Sequence, residues 1–126
     1  MKKLLVLLTL LLFTVDVKAA MTFEEAFKDS NKPMAVIVYA NWATDYSEAI
    51  NRFRVAGLNY INDYNFVELN IADEDAKNYT EIYPIVAKLP YIMLYRGRGK
   101  VSRYLDRNCT SDISCIESKL NMFISK

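Results

Sequence analysis

Apolar residues fall along this chain in distinct periods, and each period predicts an element. Met34 to Ala40 is apolar without interruption and rich in β-branched side chains. Such a run suits a strand covered on both faces, as in a parallel sheet between helices. Phe66-Val67-Glu68-Leu69-Asn70-Ile71 predicts a second strand. Between them the period lengthens: Tyr46, Ala49, Ile50, Phe53, Gly57, Tyr60, Ile61 and Tyr64 form one apolar stripe. That stripe predicts a helix starting near Thr44 or Asp45. Gly57 within it costs about 1 kcal/mol relative to Ala and marks a kink or a close approach to the sheet.

Shorter signals complete the order. Thr22-Phe23-Glu24-Glu25 is a capping-box pattern and opens a helix ending near Lys28. Asp73-Glu74-Asp75 puts negative charge at the start of a further helix, where the helix dipole favours it. That helix runs to about Tyr83, and Pro84 bends or ends it. Residues 91–95 and 101–105 read as two strands joined by a glycine-containing turn, hence an antiparallel hairpin. Ser111-Asp112 starts a last helix with Ile113, Ile116, Leu120, Phe123 and Ile124 on one face. The result is an α/β domain, a central mixed sheet flanked by helices.

The N-terminus is patterned differently. Met1-Lys2-Lys3 precedes a 12-residue apolar run from Leu4 to Val15, and Asp16-Val17-Lys18-Ala19-Ala20 follows. A basic start, a short apolar core and a small-residue exit describe a secretory signal peptide. Cleavage after Ala19 puts Val17 and Ala19 at the small-residue positions, which gives a leader over 1–19 and one domain over 20–126. The alternative, an uncleaved anchor, has too few apolar residues to span about 30 Å of hydrocarbon comfortably. The expected location is therefore exported, periplasmic or secreted, with no stable membrane span after cleavage. Removing 1–19 takes away Lys2, Lys3, Lys18 and Asp16, leaving 13 basic and 14 acidic residues, a net charge of −1. A near-neutral domain offers no electrostatic case for nucleic acid or an anionic membrane. Its one local basic run, Arg96-Gly97-Arg98-Gly99-Lys100, reads as a solvated turn.

Several segments taken together resemble the thioredoxin family. Lys32-Pro33 with the strand to Ala40 is similar to its first central strand, and Asn41-Trp42 to the residue-Trp pair before its active site. Phe66 to Asp73 resembles the next parallel strand and its exit loop. Leu89-Pro90-Tyr91 through Tyr95 resembles the cis-proline strand, and Arg96 to Val101 the hairpin after it. The resemblance covers roughly residues 22–124 and implies a thioredoxin-like fold.

The chemistry the resemblance would imply is not there. Trp42-Ala43-Thr44-Asp45-Tyr46-Ser47 stands where a thioredoxin reads Trp-Cys-Gly-Pro-Cys-Lys. Thiol–disulfide exchange needs a thiolate attacking sulfur, and the two cysteine positions hold Ala43 and Tyr46. The family's buried acid falls at Ile37 and its partner lysine at Glu68. The chain contains no histidine, which removes the usual general base and the commonest metal ligand. Asp73, Glu74 and Asp75 lack the spaced ligands and glycine of a calcium loop. Three glycines in all leave no Gly-rich phosphate loop. No cofactor and no metal are expected.

Two features remain. Cys109 and Cys115 are the only cysteines. Behind an export signal an even pair reads as a disulfide. The expected role is a structural staple. The alternative is a relocated redox pair, supported by Cys115 lying near a helix N-terminus but opposed by a spacing that matches no redox motif and by its distance from the family's active site. The second feature follows from the resemblance, in which the residue before the cis-proline pairs its backbone with extended peptides. Here that residue is Leu89, and the fold would gather Trp42, Ala43, Thr44, Leu89, Pro90 and Tyr91 into a face that binds without reacting. The alternatives are that Pro90 serves fold geometry alone while Trp42 packs locally, and that Tyr46 fills core. Nine tyrosines and one tryptophan are many for this length and suit an interface as well as a core. Asn78-Tyr79-Thr80 and Asn108-Cys109-Thr110 match the glycosylation sequon, which matters only in a eukaryotic secretory pathway. The expectation is an exported, redox-inactive domain binding extended polypeptide or a protein partner. Its alternatives are an oxidoreductase working through Cys109 and Cys115, and a structural subunit of an envelope complex.

Overall fold

The computed structural model describes residues 20–29, 31–96 and 101–125. The leader expected over 1–19 and most of the basic turn, residues 97–100, lie outside them. In chain order the elements are β1 (Ala20–Met21), α1 (Phe23–Lys28), β2 (Met34–Tyr39), α2 (Tyr46–Gly57) and a 3₁₀ turn (Leu58–Tyr60). Then follow β3 (Asn65–Asn70), α3 (Asp75–Ile82), β4 (Tyr91–Arg96), β5 (Val101–Leu105), α4 (Arg107–Thr110) and α5 (Ile113–Ile124). Among the described residues the strands form one mixed sheet in the order β1-β3-β2-β4-β5. β1, β3 and β2 run parallel, and β4 lies antiparallel to both β2 and β5.

The uninterrupted apolar run of β2 is explained by its central position. Ala35 and Ile37 join one core with Ala49, Phe53 and Ala56 of α2 and with Ile116, Leu120 and Phe123 of α5. Met34, Val36 and Val38 join a second core with Phe23 and Ala26 of α1 and with Ala76 and Tyr79 of α3. Tyr64 ties the first core to its last helix, its phenol donating to the Leu120 carbonyl at 2.6 Å. The second core is built around tyrosines. Tyr79 and Tyr95 share a hydroxyl–hydroxyl hydrogen bond of 2.7 Å, and the Tyr83 ring stacks on Tyr95 at 4.2 Å.

Most sequence expectations for the elements hold, and the departures have local causes. Thr22 and Glu25 form both bonds of the capping box, at 3.1 Å each. α2 starts at Tyr46, with Asp45 as its N-cap in a left-handed conformation of φ 61°, within a residue of the expected start. Gly57 is a close approach and the end of α2: a Cβ there would lie 2.9 Å from the Phe66 ring. Past it the chain tightens into the 3₁₀ turn, the stripe loses register, and Ile61 is exposed while Ala56 is buried. Asp75 does more than sit at a helix start, since its carboxylate accepts the Phe23 N–H at 3.1 Å and joins α3 to α1.

Two elements had no sequence expectation, β1 and α4. α4 has four residues, too few to be stable alone, and is held by its surroundings. Asp106 caps it by accepting the Cys109 N–H at 2.9 Å. Arg52 of α2 donates to the Thr110 carbonyl at 3.0 Å. Cys109 of α4 is disulfide-bonded to Cys115 in the first turn of α5. A loop this short adds about 2 kcal/mol by the chain-entropy estimate.

Candidate functional site

β2 ends at Tyr39, and the chain turns sharply before α2. The Ala43 N–H donates to the Ala40 carbonyl at 3.0 Å and closes that turn. Asn41 is pinned from the side, its amide oxygen accepting from Asn70 at 2.7 Å. Asn70 in turn accepts the Ala72 N–H at 3.0 Å, so the ends of β2 and β3 support one loop. Asp45 then reverses the backbone in the left-handed region, which aspartate tolerates better than most residues. The turn leaves Trp42 projecting, with 71% of its surface exposed.

The Leu89–Pro90 peptide facing this turn is cis. A groove of about 500 Å³ opens between the two segments, lined by Trp42, Ala43, Thr44, Lys88, Leu89 and Arg107. Four of the residues expected at the site therefore meet in one place. Pro90 is buried beneath rather than at the surface. Tyr91 is buried on the other side of the sheet, in the second core, and borders a separate cavity of about 190 Å³ with Tyr83 and Tyr95. Side chains alternate along a strand, and Tyr91 begins β4 on the face away from α2.

Lys88 and Arg107 were not anticipated. Arg107 is the first residue of α4, so the short helix and its disulfide set one wall of the groove. Its guanidinium donates to the Leu89 carbonyl at 3.3 Å. Leu89 is thus the meeting point of both walls. No intramolecular partner for its N–H occurs among the described residues. A carbonyl has two lone pairs, so its oxygen retains acceptor capacity beside the Arg107 bond.

The positions aligned with reactive cysteines have different roles. Ala43 presents a methyl group to the groove. Tyr46 is half-buried and stacks on Tyr39, with ring centroids 5.7 Å apart and 5° between planes. It closes the space under the turn and does not line the groove. Partial burial, with Glu68 and Asp73 nearby, raises the Tyr39 pKa, so that phenol stays neutral at ordinary pH. Ile37 is fully buried beneath, and its register partner Glu68 faces Arg54 of α2. That pair is bidentate, with Nε–Oε2 2.7 Å and Nη2–Oε1 2.6 Å. No group of three or more potential metal ligands occurs among the described residues. No helix among them is long and apolar enough to cross a membrane.

No protein-family model and no curated protein matches this sequence. Solved structures do match it in three dimensions. The Trx4 domain of ERdj5 is similar over 84% of this chain and 96% of its own, with 12% identity and a TM-score of 0.65. A longer ERdj5 chain is similar over 84% of this chain and 14% of its own length. Thioredoxin O2 from Arabidopsis thaliana, in its oxidized state, matches 79% of this chain and 84% of its own, at 14% identity and TM-score 0.59. Chlamydomonas reinhardtii thioredoxin f2 matches 81% and 89%, at 15% identity and TM-score 0.58. At these identities the likeness establishes the thioredoxin-like fold and nothing about activity.

Proposed function

We propose that this chain is an exported, thioredoxin-like domain that binds extended polypeptide in the Trp42–Leu89 groove and carries out no dithiol exchange there. The observation that carries the reading is an exposed indole beside the bend that leads into β4, where the Leu89 N–H has no partner among the described residues. Strand addition uses such a backbone edge for affinity and the neighbouring surface for side-chain contact. Covering the exposed part of Trp42 would contribute about 4 kcal/mol gross, before the costs of association. With Ala43 and Tyr46 in the cysteine positions, the groove has no sulfur with which to attack a bound chain. The Cys109–Cys115 bond supports a staple role, since Cys109 is buried and holds α4 against α5. The apolar run before residue 20 supports export.

The test uses the mature domain and a permanently unfolded chain, reduced and amidomethylated α-lactalbumin, with calorimetry and backbone amide shifts. Binding is expected to move the amides of residues 42–44 and 88–89. Trp42→Ala is expected to weaken it about tenfold or more, a loss of about 1.4 kcal/mol or more. Equal affinity for Trp42→Ala, or shifts confined to other surfaces, would sink the reading.

A further inference from the structure

The charges around the groove bear on the chemistry of the segment it would hold. Lys88 and Arg107 both line it, and among the described residues no carboxylate does. Neither cation has an ion-pair partner among the described residues. The nearest acid in sequence to Arg107 is Asp106, whose carboxylate is turned to the Cys109 N–H at 2.9 Å as a helix cap. Asp45 follows Thr44 but is not part of the lining. The domain as a whole is close to neutral, so this paired positive charge is a local feature rather than a general basic surface.

The position of the charges matters as much as their sign. Arg107 uses one guanidinium nitrogen, Nη1, on the Leu89 carbonyl. A guanidinium has five N–H donors in a planar fork that matches a carboxylate, so the remaining donors are available next to the backbone a ligand would pair with. Lys88 adds a point charge one residue before Leu89. The disulfide and the Arg52 bond fix α4, which bears Arg107, so little ordering is needed on binding.

We infer that the groove selects an extended segment carrying an internal aspartate or glutamate, whose side-chain carboxylate is held between Arg107 and Lys88 while the backbone lies along Leu89. The inference rests on the groove reading given above, and the experiment separates the two. Four probes are titrated into the labelled mature domain and followed by its amide shifts. The first is the blocked peptide acetyl-Gly-Val-Glu-Val-Glu-Val-Gly-amide. The second and third carry Gln or Lys in place of Glu. The fourth is the Gln peptide with a free C-terminal carboxylate.

The acidic peptide is expected to bind about tenfold tighter than the Gln peptide. The margin should shrink as salt is raised, since exposed charges are screened. The Lys peptide should bind weakest. Lys88→Gln should reduce the margin, and Lys88→Gln with Arg107→Gln should remove it; Lys88→Gln alone keeps the test valid if the double variant misfolds. Equal binding of the acidic and Gln peptides at the groove would overturn the acidic preference and leave the groove reading standing. A tenfold gain from the free C-terminal carboxylate, with none from Glu, would overturn the assignment to an internal side chain. If none of the peptides moves residues 42–44, 88–89 or 107, the groove reading falls and this inference with it.

Discussion

Raising the pH to about 11 is expected to cost this domain about 4 kcal/mol and to bring it close to unfolding. The cause lies in Tyr64, Tyr79 and Tyr95, which are almost completely buried. Burial is the main force holding all three phenols well above their ordinary pKa. Tyr79 is pushed further by its neighbour Tyr95, whereas Arg96 partly offsets the effect on Tyr64. An unfolded tyrosine releases its proton near pH 10. Below that pH both states hold the proton, and the stability these groups contribute is fully present. Above it only the folded state holds the proton, so stability falls as pH rises. Each such group costs about 1.4 kcal/mol per pH unit in that window. Tyr39, Tyr83 and Tyr91 are shifted in the same direction. Tyrosinate absorbance and far-ultraviolet circular dichroism, followed together, should show a late, steep step common to both. A smooth titration centred near pH 10 with dichroism unchanged would refute this.

Ile37→Asp, which places a carboxyl where thioredoxins carry a buried acid, is expected to destabilise the domain by about 4 kcal/mol or more. Ile37 has no exposed surface and lies in the apolar core between the sheet and α2. The new carboxyl would meet Glu68, its register partner, where the family has a lysine. Desolvation and a like charge both favour the neutral acid. Its folded pKa would therefore exceed the unfolded value near 4. The variant should keep most stability below that value and lose it as pH rises toward neutrality. Ile37→Asn gives the comparison without ionisation and should show no such slope. Adding Glu68→Lys to Ile37→Asp should return about 1–2 kcal/mol, although it breaks the fork to Arg54. Urea denaturation across pH measures all three. A pH-independent loss equal to that of Ile37→Asn would show that charge is not the cause. On the proposed reading, placing two cysteines in the turn would not by itself reproduce the arrangement of thioredoxins, because the core beneath it holds Ile37 and Glu68.

The sequence was most legible where local chemistry and tertiary packing agree. The Thr22–Glu25 box, the two-sided strand at β2 and the cysteine pair each follow from residues close together in the chain. Legibility fails where an element exists only through its neighbours. β1 has two residues and no internal period, and it exists because β3 offers an edge at Phe66 and Val67. α4 is held by a cap, a cross-helix arginine and a disulfide rather than by its own four residues. The site divides in the same way. Trp42 and Leu89 were visible through the segments that carry them, but Lys88 and Arg107 belong to no local motif. Only the return of the chain from β5 into α4 brings Arg107 to the Leu89 carbonyl. Strand parity assigns Tyr91 to the opposite face, and the apolar stripe misplaced Ile61 because the helix ends at Gly57.

The exposure of Trp42 also decides how the molecule can be observed. It is the chain's only tryptophan, and 71% of its surface already meets solvent in the folded state. Indole emission reports the polarity around the ring, so unfolding changes that environment little and the emission colour should barely move. A ligand lying over the ring would exclude water from it and shift the emission to shorter wavelength. The fluorophore is therefore nearly blind to denaturation and sensitive to occupancy, an optical separation of the two events that needs no introduced dye.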